Sequence, residues 1–219
     1  MRLSGTESIS IELSGVLDAA ATDALALGVP APLGLERDAD GRGCLSVLVL
    51  EMHGLGLAWT LPKFDYREVL YRLGVMVDGA PAWLALRCDL DRALVRGMAG
   101  AIIRYPVQRA TIDIEEVDGA TFTFRAATDA DSLSAKLRLE ASRGVPAPTP
   151  PRRTFVVDGG RLFEVPWNER AAPSRDHASV TDVESSACNA VFGAAVTFDA
   201  AAVVHRGRTH FCGAARAVR

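Results

Sequence analysis

Lysine is almost missing from this chain. Only Lys63 and Lys136 occur among 24 basic residues, so amine chemistry has two candidates and the remaining positive charge is arginine. Cysteine is sparse and scattered. Cys44, Cys88, Cys188 and Cys212 form no C-x-x-C pair, which excludes the usual spacing of a zinc or dithiol-redox centre. A chain of 219 residues buries enough surface to need no disulfide staples, so these read as buried thiols acting as small hydrophobes. No apolar run approaches the roughly eighteen residues of a membrane span. The start, MRLSGTESISIEL, lacks the apolar core of a secretory signal, so the expected address is cytoplasmic, with no membrane partner. Positive charge is not in excess either. With 24 basic and 27 acidic residues the net charge is −3, which argues against a nucleic-acid partner.

What is present is an ordinary globular composition, 49% apolar and 23% charged, which excludes wholesale disorder. Short strands separated by Asp-Gly turns dominate the middle. Asp78-Gly79, Asp118-Gly119 and Asp158-Gly159-Gly160 each sit between apolar or alternating runs, a strong hairpin signal. CLSVLVLEM (Cys44–Met52) reads as a buried strand from its continuous apolar run. Further strands are predicted over Arg67–Val77, Ala82–Cys88, Ala110–Val117, Ala120–Ala127 and Ser132–Ser142. In the last of these, Leu133, Leu137 and Leu139 alternate with Ser134, Lys136, Arg138 and Glu140. Helices are predicted over Leu17–Gly28 and over Leu90–Ile103, the second capped by Asp91 and ended by Tyr105-Pro106. The Pro-rich run GVPAPTPPRR (Gly144–Arg153) is a stiff linker. The strand-rich remainder, near Thr154–Val157, Arg161–Val165 and Ser179–Glu184, reads as the rest of one sheet system, so one domain is expected over residues 1–219.

Most catalytic motifs fail on spacing. HGLGLAW (His53–Trp59) has a G-x-G without the third glycine of a dinucleotide site, and neither a phosphate loop nor G-x-S-x-G occurs. Asp129, Asp131 and Glu140 imitate a calcium loop but lack its central glycine. His205 and His210 are five apart, opposite in direction on one strand, so they do not share a metal and read as surface or interface residues. His177 reads as an exposed loop residue. Glu68 stands out because it interrupts an apolar strand: it is either outward-facing or a pocket carboxyl with a raised pKa.

Taken in order, several segments resemble the acetoacetate decarboxylase superfamily. ALALGVPAPLGL (Ala24–Leu35) is similar to that family's helix and following V-P-x-P-L segment, and VLVLEMHGLGL (Val47–Leu57) to its next strand. Tyr66-x-Glu68 is similar to its Y-x-E, and RALVRGMAGAIIRYPVQRATI (Arg92–Ile112) to the helix, Tyr-Pro and strand that carry its catalytic lysine. ASVTDVESSACNAVF (Ala178–Phe192) resembles its late I-T-D-V strand. The resemblance implies a mainly β fold: a closed, cone-like antiparallel β-barrel with a few flanking helices and a pocket inside the barrel. It also implies a lysine that condenses with a β-keto acid.

Here the family's tandem lysines read Val107 and Gln108, and a strand glutamate reads Leu48. Of its acids only Glu68 remains. Neither valine nor an amide forms an imine. The resemblance therefore implies a small-molecule-binding barrel, for a carboxylate or oxo acid, without Schiff-base decarboxylase activity, cofactor or metal. Arg104, Tyr105, Val107, Gln108 and Arg109 would line its site with Glu68. Two alternatives stand beside it: a superfamily enzyme with Glu68 as general acid or base, or Lys63 as a displaced amine, and a structural subunit without a ligand. The alanine-rich Val191–Val204 stretch points to a homo-oligomeric interface.

Overall fold

Alternation of apolar residues builds most of this molecule, which a computed structural model describes over residues 2–57, 63–140, 152–170 and 174–218. The strands are β1 (Arg2–Leu17), β2 (Gly34–Leu35), β3 (Gly43–Leu57), β4 (Phe64–Val77), β5 (Ala80–Leu90), β6 (Val107–Arg109), β7 (Thr111–Glu116) and β8 (Thr121–Ala127). They continue with β9 (Ser132–Leu139), β10 (Arg153–Asp158), β11 (Arg161–Val165), β12 (Trp167–Arg170), β13 (Ser174–Ser185), β14 (Thr197–Arg206), β15 (Thr209–Gly213) and β16 (Arg216–Ala217). Three short helices accompany them: α1 (Ala19–Ala26), α2 (Ala93–Met98), which runs into a π-helical turn at Ala99–Ile103, and α3 (Ser186–Phe192).

The main path of the sheet runs β16-β11-β10-β5-β4-β3-β1-β14-β13-β9-β8-β7. Two expectations are corrected here. Backbone hydrogen bonds do not close the sheet into a barrel among the described residues, since the path ends at β16 and β7. Nor is it purely antiparallel, because β5 pairs in parallel with both β10 and β6. Where β4 approaches β7, a side chain makes the link: Arg67 Nη1 donates to the Ile112 carbonyl at 3.1 Å. The Asp-Gly turns form as predicted. Asp78 and Gly79 both have positive φ, 52° and 75°, as the tight hairpin between β4 and β5 requires. Most of the Pro-rich linker, residues 144–151, and Trp59 lie outside the described residues.

Side chains on the two faces of the central strands enter two separate cores. Val47, Val49, Val69 and Tyr71 join Phe122, Phe124, Leu137 and Val204 in the larger one. Leu48, Leu50, Met52 and Tyr66, on the opposite face, join Val95, Ala99 and Ile103 of the α2 segment in the smaller one. β1 escaped sequence reading for a local reason. Its register with β3 shifts between Glu7 and Ile9, so odd-numbered Leu3 faces the smaller core while odd-numbered Ile11 and Leu13 face the larger. The helices are shorter than expected. α1 begins after Asp18, whose carboxylate accepts from Ala21 N at 2.7 Å. α2 begins after Arg92 without a side-chain cap, while Asp91 instead accepts from Arg67 N at 3.0 Å. α3 occupies a segment the resemblance placed with a strand, capped by Ser185 and ended at Gly193 with φ 67°.

Close packing fixes Gly15, buried where β1 meets β14. A Cβ there would stand 2.9 Å from the Thr197 carbonyl oxygen and 3.2 Å from Val196, whereas one at Gly28 would meet only the Leu25 carbonyl at 3.6 Å. Gly15→Ala is expected to cost about 1–3 kcal/mol, a fall of roughly 2–10 °C in Tm. Gly28→Ala should leave Tm unchanged in the same thermal scan, and equal stability of the two variants would refute this packing.

Candidate functional site

The alternation of β4 puts Tyr66 and Glu68 on one face, two residues apart, aimed at the smaller core. Their partners across β3 are Met52 and Leu50, and Glu68 faces Leu90 of β5. Above them lies a small, largely apolar cavity open at its mouth. Val95, Met98, Ala99 and Ile103 of the α2 segment form one wall, with Tyr105 just after it. Leu3 and Gly5 of β1, Trp167 of β12, and His210 and Cys212 of β15 complete the other side. Gly5 is small for a reason: a Cβ there would lie 2.7 Å from Met52 Sδ. The pocket therefore lies between the sheet and the α2 segment, on the face opposite the larger core. Expecting it within an enclosed barrel missed that both faces of these strands are covered.

Glu68 is 7% exposed in this apolar setting. Burial pushes its carboxyl from the ordinary 4.5 up to about 7, against hydrogen bonds from Cys88 and Tyr66 that favour the anion; the nearby Glu7 carboxylate adds to the rise. Burial also raises the Tyr66, Tyr105 and Cys88 groups well above their ordinary ranges, so these remain neutral hydrogen-bonding groups. Glu68 is thus a carboxyl that holds or releases a proton near neutral pH, enclosed by hydroxyl, thiol and hydrocarbon.

Of the residues expected at the site, the structure brings together Glu68 and Tyr105 only. Arg104 takes a left-handed backbone, φ 63°, that turns its side chain outward. It pairs with Asp158 at 2.5 Å and stacks on Phe163. Val107 packs against the smaller core without lining the cavity, while Gln108 and Arg109 are exposed. The reason is topological. β6 is a three-residue strand held in parallel beside Cys88–Leu90, so it sits next to β5 rather than over the pocket. Lys63 precedes β4 and Lys136 lies on β9. Both are exposed, and neither lines the cavity.

Sequence reading missed the polar wall supplied by His210. His205 and His210 lie on different strands, β14 and β15, and both are buried rather than at the surface. His177 lies on β13, half-buried, instead of in a loop. The only available signal was that both chain ends carry alternating segments with embedded polar residues, and no spacing links them. Among the described residues no His, Cys, Asp and Glu side chains gather into a group of three or more fit to hold a metal ion, and no helix is long and apolar enough to cross a membrane.

No protein-family model matches this chain, and no curated protein matches it. Solved structures do, and they define its class: the chain has the acetoacetate decarboxylase-like fold. One match is the enduracididine biosynthesis enzyme MppR with HEPES bound, at TM-score 0.75 and 15% identity over 99% of this chain and 86% of that one. The same enzyme complexed with pyruvate matches at TM-score 0.70 and 16% identity, over 99% and 89% of the two chains. Acetoacetate decarboxylase from Legionella pneumophila matches at TM-score 0.70 and 12% identity, over 100% and 88%.

Glu68 carries a direct pH signature. The folded protein holds its proton more tightly than the unfolded chain, so folding loses stability as pH rises from 4.5 to about 7 and levels off above that. Glu68→Gln has no proton to lose. In urea unfolding from about pH 4.5 to 7.5, stability of wild type relative to the variant should fall by on the order of 3 kcal/mol. A difference that stays constant with pH would place Glu68 in a solvated setting.

Proposed function

We propose that this chain binds a small oxo compound, of the oxo-acid class, in the Glu68 cavity, and that it does so without forming a Schiff base. The single observation carrying this reading is an apolar cavity whose polar lining is a carboxyl poised near neutrality, two tyrosines, a cysteine and a histidine, with no lysine among the described lining residues. A protonated Glu68 donates to a carbonyl oxygen. The Tyr66 and Tyr105 hydroxyls are the further donors to a ligand's oxygens. An imine needs an amine, and at the two positions that resemble the family's lysines stand Val107 and Gln108. MppR, of the same fold, is known in complex with pyruvate, which supports the ligand class.

The test is a thermal-shift panel of pyruvate, 2-oxobutyrate and acetoacetate against lactate, each followed by borohydride reduction and intact-mass measurement. An oxo acid at about a hundred times its Kd should stabilise the fold by about 2.7 kcal/mol, raising Tm by roughly 5–10 °C. The shift should shrink in Glu68→Gln, and the mass should stay unchanged after borohydride. An absent shift across the panel sinks the binding reading. A borohydride-trapped adduct that disappears in Lys63→Ala establishes a displaced amine instead.

A further inference from the structure

Behind the histidine that lines the cavity lies a buried charge cluster. Glu7 of β1 is fully buried, and Arg208 and His210 are nearly so, at 8% and 2% exposure. Glu7 Oε2 accepts from Arg208 Nε at 2.9 Å, and Oε1 accepts from Arg208 Nη2 at 3.3 Å and also meets His210 Nε2. Arg208 Nη2 also donates to Ser10 Oγ at 3.1 Å, and the Trp167 ring leans on the imidazole at 4.8 Å between centroids. Backbone pairing locks this arrangement. Glu7 N donates to the Arg208 carbonyl at 2.8 Å, and Gly5 faces His210 in the β1–β15 ladder. His210 and Glu68 line the same cavity.

The geometry points to His210, positioned by Glu7, as the base of an acid–base pair completed by Glu68, a pair that enolises the bound oxo compound. This inference rests on the oxo-compound reading of the cavity. Arg208 already balances the Glu7 charge. Once the imidazole takes a proton, its contact with Glu7 stabilises the cation, the same logic by which a buried carboxylate supports a catalytic histidine. Burial pushes the Glu7 carboxyl up, but His210 and Arg208 outweigh it and hold it at about 2, so it remains an anion throughout. Glu68 has no ion-pair partner among the described residues, and burial, which outweighs the more distant Arg72, lets it keep its proton to near neutrality. Environments that drive two titratable groups apart in this way assign one as acid and the other as base.

In the step itself, the C–H bond next to the carbonyl breaks and its proton goes to the His210 imidazole. The electron pair left behind forms the C=C bond of the enol. The carbonyl π pair takes the Glu68 proton to make the enol hydroxyl. No oxidant, reductant or co-reactant is consumed. Reversal after the imidazolium exchanges with solvent returns a solvent hydrogen to that carbon.

The reaction is read as loss of the C3–H signal of 2-oxobutyrate by proton NMR in D₂O, with the full chain and a heat-killed control. Wild type should accelerate exchange at least tenfold over the control, and His210→Gln should return it to the control rate. Glu7→Gln should slow exchange tenfold or more, with partial rescue in Glu7→Asp, which a purely structural role would not produce. A wild type that shifts in Tm with 2-oxobutyrate but exchanges no faster than the control overturns this inference and leaves binding intact. So does undiminished exchange in His210→Gln. A wild type with no thermal shift overturns the binding reading and this inference together.

Discussion

A sheet covered on both faces is the constraint from which the rest of this structure follows. Strand residues point alternately up and down, so β3, β4 and β5 must be apolar at nearly every position to fill two cores at once. Each polar residue in such a strand needs a partner or a cavity. Arg87 and Asp89, both within 6% exposure on β5, face the larger core and satisfy one another. Arg87 Nε donates to Asp89 at 2.7 Å, and Nη1 reaches Asp131 at 2.6 Å. That network joins β5 to the β8–β9 turn through side chains, on a sheet whose hydrogen bonds do not close. Removing one member would leave a buried charge uncompensated, the costly case for such pairs.

On the smaller face two buried carboxyls have opposite fates. Glu7 is flanked by a guanidinium and an imidazole and stays far below the usual carboxylate range. Glu68 is surrounded by hydrocarbon, a thiol and a phenol and sits far above it. The difference is not depth, since both are buried. It is the presence or absence of a cation at contact distance. A fixed anion thus stands behind one lining residue of the cavity, His210, while a proton-holding acid is another.

The solved structures of this fold share only 12–16% of residues with this chain in the matches above while covering nearly all of it. Many sequences satisfy a two-faced alternating pattern, so the backbone persists while the residues that carry chemistry change. Val107 illustrates this. Its side chain contributes to the smaller core, a packing role that any aliphatic residue of similar size fills. What the cavity does is decided by Glu68, the tyrosines and the β15 wall rather than by the fold.

Much of this was legible in order of locality. The hairpins at Asp78-Gly79 and Asp118-Gly119, the β9 alternation, and Glu68 as a carboxyl within the largely apolar Tyr66–Val77 stretch are all set by neighbours along the chain, because turn chemistry and strand period act over a few residues. β1 was hidden by its bulge, which breaks the period that identifies a strand. The arginines of the β6 region were misplaced because a parallel three-residue pairing leaves no local trace. Glu7 and Arg208 stand 201 positions apart and meet only because β15 folds back beside β1. The amino-acid sequence alone thus determined the mainly β class, the turns and the odd carboxyl in an apolar strand, all consequences of short-range sterics and solvation. Tertiary structure alone decided which face that carboxyl sees and which histidine shares its cavity, since long-range strand pairing brings those segments together and no local pattern encodes it.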